Sequence, residues 1–276
     1  MKNKLLVSIN NLEDIEGYEK IGVNSFLFPL TDFSVGFPNT FSLEDIPNGK
    51  NSYVLINRIL DCKSVDNLKK LLKKVNNNIK GIIFEDLAVL NIAKEFKLSK
   101  ELIWWGSHFG TNHEMINFFL DKGIDSVFIS GELTKDEIAS VAKRTIKPSI
   151  AQLFGYTQCM YSRRELLSNY MNYYNLDLKK ELIIKDEKDP NLEFKVFEND
   201  YGTVVFDNHI FDGRELMNIP NIKYFYINTS FLSKDIVLEV LKNIDKMDFN
   251  LDLLNIKTSK GFLDKKTIYK LPGGEK

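Results

Sequence analysis

The sequence has few cysteines, few histidines and almost no net charge. Two cysteines in 276 residues are too few for the disulfide framework that stabilises many small secreted proteins. The formal net charge is −1, from 37 basic and 38 acidic side chains, so no overall field attracts nucleic acid or a membrane surface. Any site for a polyanion must therefore be a local patch.

The sequence also lacks a long apolar run. No segment reaches the roughly 18 apolar residues that a membrane-spanning helix needs, and the opening stretch MKNKLLVSINN has too short an apolar run for a signal peptide. These absences predict a cytoplasmic protein with reduced thiols and no membrane partner. Three histidines, without any Cys-x-x-Cys or His-x-x-x-His spacing, predict that there is no transition-metal site.

Short apolar runs alternate with segments of helical period along most of the chain. Seven such runs precede residue 156, and an eighth, IKYFYINT, follows much later. Wholly apolar strands are expected where both faces of a parallel sheet are covered. Eight β/α units predict a TIM-like (β/α)8 barrel. The alternative is an open doubly wound sheet, although no Gly-x-Gly-x-x-Gly follows the first strand.

Two helix starts carry capping signals. Ser64 is a candidate N-cap for the helix after the third strand. Thr134 and Glu137 have the spacing of a capping box for the helix after the sixth strand.

The segment between the seventh and eighth apolar runs has a different pattern. Its pieces ELIIKDE, EFKVFEND and GTVVFDN alternate more, and the turn sequences NDYG and DG are typical of β-hairpins. We therefore predict a barrel formed by residues 1–155 and 216–246, with a β-hairpin insertion at 156–215 between strands seven and eight. The remaining residues, 247–276, are predicted to pack on the barrel as a tail.

Candidate acid/base residues follow from the rule that the site of a β/α barrel lies at the carboxyl ends of its strands. Glu85 follows the fourth strand, His108 the fifth and Glu132 the sixth. Two strand spacings place the two glutamates roughly 10 Å apart, which suits a pair of groups acting across a substrate. An imidazole can titrate near neutral pH, so His108 is a candidate auxiliary. The alternatives are a structural histidine and carboxylates that only favour the following helix N-termini.

The segment GYTQCMYSRRELLSNYM contains a cysteine and the only adjacent pair among five arginines. Arg163 and Arg164 can bind a carboxylate or phosphate in a bidentate manner, or they can form salt bridges with Glu165, Glu181 or the barrel rim. Cys159, near these cations and a helix start, is expected to have a lowered pKa, unless it is a small buried apolar residue. Lysines in KTSKGFLDKKTIYK could contact an RNA backbone, although lysine is abundant throughout the chain.

The segments DSVFISGELTKDEI and QLFGYTQCMYSRRELLSNYM resemble peptidase family U32, the collagenase-like peptidases of unassigned catalytic type. The ending GFLDKKTIYK also fits. The individual positions that match are Asn112, Ser130, Glu132, Leu133, Gly155, Cys159, Leu166, Asn169 and Tyr170. The resemblance implies a peptidase (a hydrolase) with its site at the barrel mouth and a peptide or small carboxylate as ligand. The candidate substrate-binding residues are Arg163, Arg164, Asn112, Gln152, Tyr170 and Asn169.

The sequence departs from the family at the cysteines. Many members hold an iron–sulfur cluster with four cysteines around this loop, but here only Cys159 is present, and Glu165 stands where a second would be. One thiolate cannot hold a four-iron cluster, so no such cofactor is expected. CMYSRRELLSNYMNYYN most resembles a short branch of the family in Gram-positive bacteria that is linked to wobble-uridine hydroxylation in tRNA. The alternatives to a peptidase are therefore a tRNA-modification factor and a non-catalytic partner of a longer, cluster-bearing paralogue.

Overall fold

A computed structural model of the chain describes residues 2–106, 108–190 and 192–265. The strands in these residues are β1 (Leu5–Ser8), β2 (Ser25–Pro29), β3 (Asn51–Ile56), β4 (Ile79–Phe84), β5 (Glu101–Trp104), β6 (Ser126–Val127), β7 (Ser149–Gly155), β8 (Gln158–Ser162), β9 (Glu181–Lys185), β10 (Glu193–Asn199), β11 (Gly202–Asp207), β12 (Ile210–Asp212), β13 (Ile222–Ile227) and β14 (Thr258–Ser259). The helices are α1 (Asp14–Lys20), α2 (Cys62–Lys74), α3 (Ala88–Glu95), α4 (His113–Asp121), α5 (Lys135–Arg144), α6 (Leu166–Tyr173) and α7 (Lys234–Asn243).

The larger of the two described sheets contains ten strands in the order β14–β12–β7–β13–β1–β2–β3–β4–β5–β6. All neighbours from β7 to β6 in this order are parallel. A further parallel bridge joins Phe128, just after β6, to Ile150 in β7, and the Ile129 amide donates to the Ile150 carbonyl at 2.8 Å. The predicted mixed α/β class is confirmed, and the large sheet is strongly curled.

The parallel strands are mostly apolar because both of their faces are buried. In β3, Tyr53 and Leu55 point into an apolar cluster on the concave face of the sheet, whereas Val54 and Ile56 pack towards the helices. Side chains alternate across a strand, so a strand covered on both sides has no position where a polar residue is favoured. Polar side chains are therefore expected mainly in the residues at the ends of the strands.

The concave face is closed at the amino-terminal end of the strands by a polar network. The Tyr53 hydroxyl donates to Glu101 at 2.7 Å and lies 3.1 Å from the Tyr224 hydroxyl. Lys223 and Lys80 pair with Glu101 at 2.7 and 4.0 Å. A ligand can therefore reach the concave face from the opposite, carboxyl-terminal end.

Of the two predicted helix caps, the one for α5 is confirmed and the one for α2 is wrong. Thr134 caps α5, with its hydroxyl accepting from the Glu137 amide and its amide donating to the Glu137 carboxylate. The prediction for Ser64 was wrong, because α2 begins at Cys62 and Asp61 is its N-cap. The Asp61 carboxylate accepts from the Ser64 amide at 2.7 Å, which places Ser64 inside the first turn.

A four-stranded antiparallel sheet, in the order β8–β11–β10–β9, lies in the chain between β7 and β12. Helix α6 packs on it through Leu167 and Met171. Val204 and Phe206 from this sheet share a small apolar cluster with Val35, which belongs to the loop after β2. The antiparallel sheet is therefore attached to the rest of the molecule by apolar contacts as well as by the chain itself.

A buried ion pair anchors the residues after α7. The Arg214 guanidinium binds the Asp212 carboxylate through two hydrogen bonds of 2.9 and 3.0 Å, and it also donates to the backbone carbonyls of Lys246 and Phe249. Both charged side chains are less than one-tenth exposed. In the residues that the structure describes, no helix has both the length and the apolar character needed to cross a bilayer.

Candidate functional site

A cavity of about 190 Å³ lies at the carboxyl ends of the parallel strands. Its walls come from residues that follow β5 and β6, from Gln152 in β7, from β8 and from the end of β13. The lining side chains include Trp105, His108, Phe128, Ser130, Glu132, Gln152, Gln158, Cys159, Tyr226 and Phe262. The barrel rule therefore selected the correct edge of the sheet for a cavity.

His108 and Glu132 form a hydrogen-bonded pair at this cavity. The His108 Nδ1 atom lies 2.7 Å from Glu132 Oε1, and the two side chains are 48% and 52% exposed. The Glu132 amide donates to the Ser130 hydroxyl at 3.3 Å, which holds the loop after β6. A carboxylate on Nδ1 orients the imidazole, so Nε2 is left to exchange a proton with a ligand.

Three aromatic side chains form the floor of the cavity. The rings of Trp105 and Phe128 are stacked, with centroids 4.6 Å apart and an angle of 16° between their planes. Tyr226 packs edge-on against both, at centroid distances of 5.3 and 5.7 Å. We call Trp105, Phe128 and Tyr226 the aromatic floor. Such a surface favours a planar ring over an extended aliphatic chain.

Tyr226 carries a polar group that the protein does not satisfy. The side chain is 1% exposed, and its hydroxyl has no hydrogen-bond partner of normal geometry among the described residues. Burial raises the pKa of this hydroxyl, although the nearby Ser8 side chain opposes the rise. An unpaired buried hydroxyl costs about 1–3 kcal/mol, and Ser8 is the side chain nearest to supplying a partner.

Gln152 shapes the cavity by holding the chain where it leaves the parallel sheet. Its side-chain amide donates to the carbonyls of Gly155 and Tyr156, both at 3.2 Å. Gly155 has a φ of +107°, and a Cβ atom there would lie 2.0 Å from the Asn228 carbonyl oxygen. Only glycine fits this turn, which directs the chain from β7 into β8 and brings Cys159 to the cavity.

Cys159 does not have the lowered pKa that its sequence neighbours predicted. Packing around its sulfur raises the pKa of the thiol, and the carboxylates of Asp207 and Glu132 raise it further, against one hydrogen bond from the Asp207 backbone. Arg163, which was expected to lower the pKa, instead pairs with Asp61 at 3.1 Å. The thiolate form is therefore disfavoured.

The two arginines and Glu85 lie outside the walls of this cavity as the structure describes them. Arg163 links β8 to the start of α2 through its half-exposed ion pair with Asp61, one of the rim contacts considered as an alternative. The amide of Arg164 donates to Ser162. Burial raises the pKa of Tyr161, the charge of Glu85 adds to that rise, and Arg58 and Arg163 oppose it. Glu85 and Glu132 therefore do not both line the cavity.

The other predicted substrate-binding residues lie on helices. Asn112 caps α4, with its side chain accepting from the Met115 amide at 2.9 Å. Asn169 and Tyr170 are exposed on α6, where the Tyr170 ring packs against Tyr174. The structure thus brings together Glu132, His108, Gln152 and Cys159, and it places Asn112, Asn169 and Tyr170 elsewhere.

A second His–carboxylate pair was missed in the sequence. Both the backbone amide and the imidazole of His209 approach Asp207 Oδ1, at 2.9 and 3.3 Å. The pair lines a small side cavity of about 60 Å³, which shares Ser130, Gln152 and Cys159 with the larger cavity. The only available signal was the DNH spacing after a strand, which is common in turns. Across the described residues, no three His, Cys, Asp or Glu side chains come together to hold a metal ion.

Comparisons with known proteins agree on one family. The sequence model of the family described as "Peptidase family U32" matches residues 43–226 of this chain. A curated relative from Bacillus subtilis (strain 168), named "tRNA hydroxylation protein P2", is 26% identical over 260 residues, which cover 87% of this chain and 84% of the relative. The family match includes His108, Glu132 and the whole aromatic floor.

Proposed function

The chain belongs to peptidase family U32, and from that premise we propose that it acts in the hydroxylation of the wobble uridine of tRNA. In this proposal the uracil ring enters the cavity and lies on the aromatic floor beside His108. The observation that carries the proposal is that the aromatic floor and the His108–Glu132 pair line the same cavity. The name of the Bacillus subtilis relative supports the same reaction.

The chemistry assigned to each side chain follows from its contacts. Hydroxylation of a ring carbon is a two-electron oxidation. The C–H bond breaks and its hydrogen leaves as a proton, while the new C–O bond forms to an external oxygen donor, a two-electron oxidant that is itself reduced as it gives up its oxygen. His108, oriented by Glu132, is the group that can take up this proton. Tyr226 can donate a hydrogen bond to a ring carbonyl, because its raised pKa keeps it protonated. Trp105 and Phe128 exclude water from one face of the ring.

We further propose that the curled parallel sheet is a closed (β/α)8 barrel. The bridge between Phe128 and Ile150 supports closure between β6 and β7. The barrel would consist of residues 1–155 and 216–246, with 156–215 as an inserted subdomain and 247–276 as a tail, of which residues 266–276 lie outside the described chain. A role in tRNA hydroxylation also implies a cytoplasmic protein.

The iron–sulfur cluster of many family members does not fit this chain. A four-iron cluster takes four cysteine thiolates, and this chain contains only Cys62 and Cys159. Cys159 is moreover disfavoured as a thiolate by the packing and carboxylates around it. We therefore propose that the chain works without a cluster of its own.

Two other functions are favoured by specific features. Peptide hydrolysis is favoured by the family description, since a His–Glu pair can activate water, but the raised pKa of Cys159 argues against a thiol peptidase. A non-catalytic partner of a longer paralogue is favoured by the missing cysteines and by the exposed apolar face of α6, where Tyr170, Tyr173 and Tyr174 are more than half exposed.

The test is the tRNA nucleoside profile of a deletion strain complemented with variants. The wild-type protein should restore hydroxylated uridine. Glu132→Gln should restore less than about one-tenth of the wild-type level, and Tyr226→Phe should restore about one-third of it. Lys143→Gln, an exposed change on α5, is the control and should restore it fully.

An unchanged profile in the deletion strain would contradict the proposal, and Glu132-dependent cleavage of a peptide library would support the peptidase instead. Co-purification with a paralogue and full complementation by Glu132→Gln would support the partner role.

A further inference from the structure

A second and larger cleft, of about 680 Å³, lies between α2, the loop after β2 and the hairpin tip at Tyr201. It is open and polar, in contrast to the cavity with the aromatic floor. The charged side chains along it are Asp32, Glu44, Arg58, Asp61, Lys63, Lys70 and Lys74. We call it the α2 cleft.

The α2 cleft contains a stripe of unpaired positive charge. Lys63, Asn67, Lys70 and Lys74 follow one another at intervals of four, three and four residues, so they lie on one face of α2. All four side chains are exposed. Among the described residues, none of these three lysines has a carboxylate within ion-pair distance. At a rise of 1.5 Å per residue, the stripe extends over about 16 Å.

The carboxylates of the α2 cleft are largely engaged by other groups. Asp61 binds Arg163 and caps α2, and Asp32 accepts a hydrogen bond from the Tyr201 hydroxyl. Arg58 is held in place, because its guanidinium lies 4.0 Å above the Tyr201 ring and donates to Ser64 at 2.9 Å. Asp32 and Glu44 are the charges that oppose an anionic ligand, because a hydrogen bond from Tyr201 does not neutralise the Asp32 carboxylate. The lysine charge of the cleft is therefore available to a ligand from outside.

The lysines of the C-terminal tail are less available than those of the cleft. Lys260 lies within 3.6 Å of both Asp212 and Glu215, and Lys257 approaches Glu193 at 3.9 Å. Lys265 lies over the ring of Phe262. The predicted RNA contact of this tail extends into residues 266–276, outside the described chain. On the described residues, the stripe on α2 is the better place for a polyanion.

We propose that the α2 cleft binds the sugar–phosphate backbone of RNA, and that it holds tRNA while a base occupies the cavity. The proposal rests on the proposed function for the identity of the RNA. A row of lysines in a concave cleft matches a narrow rod of phosphates, whereas a membrane surface is flat. Helix α2 begins after the carboxyl end of β3, at the same edge of the parallel sheet as His108 and Glu132. An RNA strand that follows the stripe is thus led towards the cavity.

The test compares two charge-reversed variants of the full chain. One carries Lys63→Glu, Lys70→Glu and Lys74→Glu. The control carries Lys94→Glu, Lys122→Glu and Lys143→Glu, three exposed lysines on or beside α3, α4 and α5. Binding of unmodified tRNA and of an unrelated RNA duplex is measured from low to high salt.

The cleft variant should bind tRNA at least about 100-fold more weakly at low salt, and its salt slope should fall by about two to three, the change expected for three lost phosphate contacts. Glu44→Gln should strengthen binding a few-fold. Equal losses in the two charge-reversed variants, or an unchanged slope, would overturn the proposal. Loss of binding to anionic vesicles with RNA binding intact would assign the cleft to a membrane surface instead.

Failure of this proposal and failure of the proposed function give different results. If a deletion strain keeps its hydroxylated uridine but the cleft variant still loses RNA affinity, the cleft assignment stands and the reaction is wrong. If Glu132→Gln abolishes modification while the cleft variant binds and modifies tRNA normally, the reaction stands and the cleft assignment is wrong. Glu132→Gln should itself leave tRNA affinity within about two-fold of wild type.

Discussion

Strands β3 and β4 of the parallel sheet bury apolar side chains on both faces, whereas β9 of the antiparallel sheet exposes most of its side chains. The antiparallel sheet combines a small apolar cluster around Val204 and Phe206 with buried charges. In β10, Lys195 is 8% exposed and pairs with Glu181, and Glu198 is 1% exposed and binds the start of α6. Apolar burial does not depend on pH, but carboxylate hydrogen bonds do. The two sheets should therefore respond differently to acid and to substitution.

The largest effect is expected in the apolar core of the parallel sheet. Leu55→Ala should lower the free energy of unfolding by about 2–5 kcal/mol, because Leu55 is fully buried and the cavity left behind cannot collapse completely. Ile183→Ala, on the exposed strand β9, is the matched control and should change it by less than about 0.5 kcal/mol. Denaturant unfolding measures both, and equal losses would contradict the contrast between the two sheets.

Glu198→Gln should destabilise the antiparallel sheet by about 1–3 kcal/mol. The carboxylate accepts hydrogen bonds from the Leu167 and Ser168 amides and from the Ser168 and Thr203 hydroxyls. Glutamine keeps the shape but turns an NH2 group towards these donors. Hydrogen exchange should then quicken in α6 and in β8–β11 while β3 and β4 keep their protection. Uniform quickening throughout the chain would show that the two sheets unfold as one unit.

Acid should loosen the antiparallel sheet before the parallel one. Burial raises the pKa of the Glu198 carboxyl, but hydrogen bonds from Ser168, Thr203 and two amides outweigh this and lower the pKa below its ordinary value. Its contribution to stability is therefore complete above the unfolded pKa of about 4.3 and is lost as the pH falls through the lower folded value.

The measurement is the free energy of unfolding between pH 6 and pH 3, with hydrogen exchange to locate the change. Glu198→Gln should show a flatter dependence on pH in this range than wild type, because glutamine does not titrate. A wild-type curve parallel to that of the variant would mean that Glu198 does not contribute to the acid response.

The smallest effect is expected at the ion pair that links the two sheets at the rim. Arg163→Ala should cost less than about 1 kcal/mol, since Arg163 and Asp61 are each about half exposed and water screens their attraction. Asp61→Ala should cost more than Arg163→Ala, because Asp61 also caps α2. A double-mutant cycle measures the pair, and a coupling above about 1 kcal/mol would show that the rim contact holds the antiparallel sheet in position.

The predictable part of the molecule is the part that depends on neighbours along the chain. The capping box at Thr134 needs only a partner three residues away, and apolar strands reveal that both of their faces are covered. The meeting of His108 and Glu132 was accessible by one further rule, that consecutive parallel strands end at the same edge of the sheet. Glu85 obeyed the same rule without lining the cavity, because the rule fixes the edge but not the direction of a side chain.

Other features depended on contacts between distant segments. The aromatic floor combines Trp105 and Phe128, which directly follow β5 and β6, with Tyr226 of β13. These residues resemble many other aromatic residues of the chain until the curl of the sheet brings them together. The pKa of Cys159 was predicted in the wrong direction, because Arg163 turns to Asp61 and the thiol instead faces carboxylates. Separation along the sequence does not predict which charged groups lie close to each other in a folded chain.

By itself the sequence determined the parallel α/β architecture, the edge of the sheet that carries polar residues and the absence of a cluster ligand set. Periodicity, composition and the number of cysteines express these properties without reference to any contact. Only the tertiary structure decided which polar groups share a cavity, that Tyr226 lines this cavity with a buried hydroxyl, and that the lysines of α2 line a cleft without forming ion pairs among the described residues. These properties depend on side-chain direction and on residues far apart in sequence, which are fixed only when the sheet curls and the second sheet packs beside it.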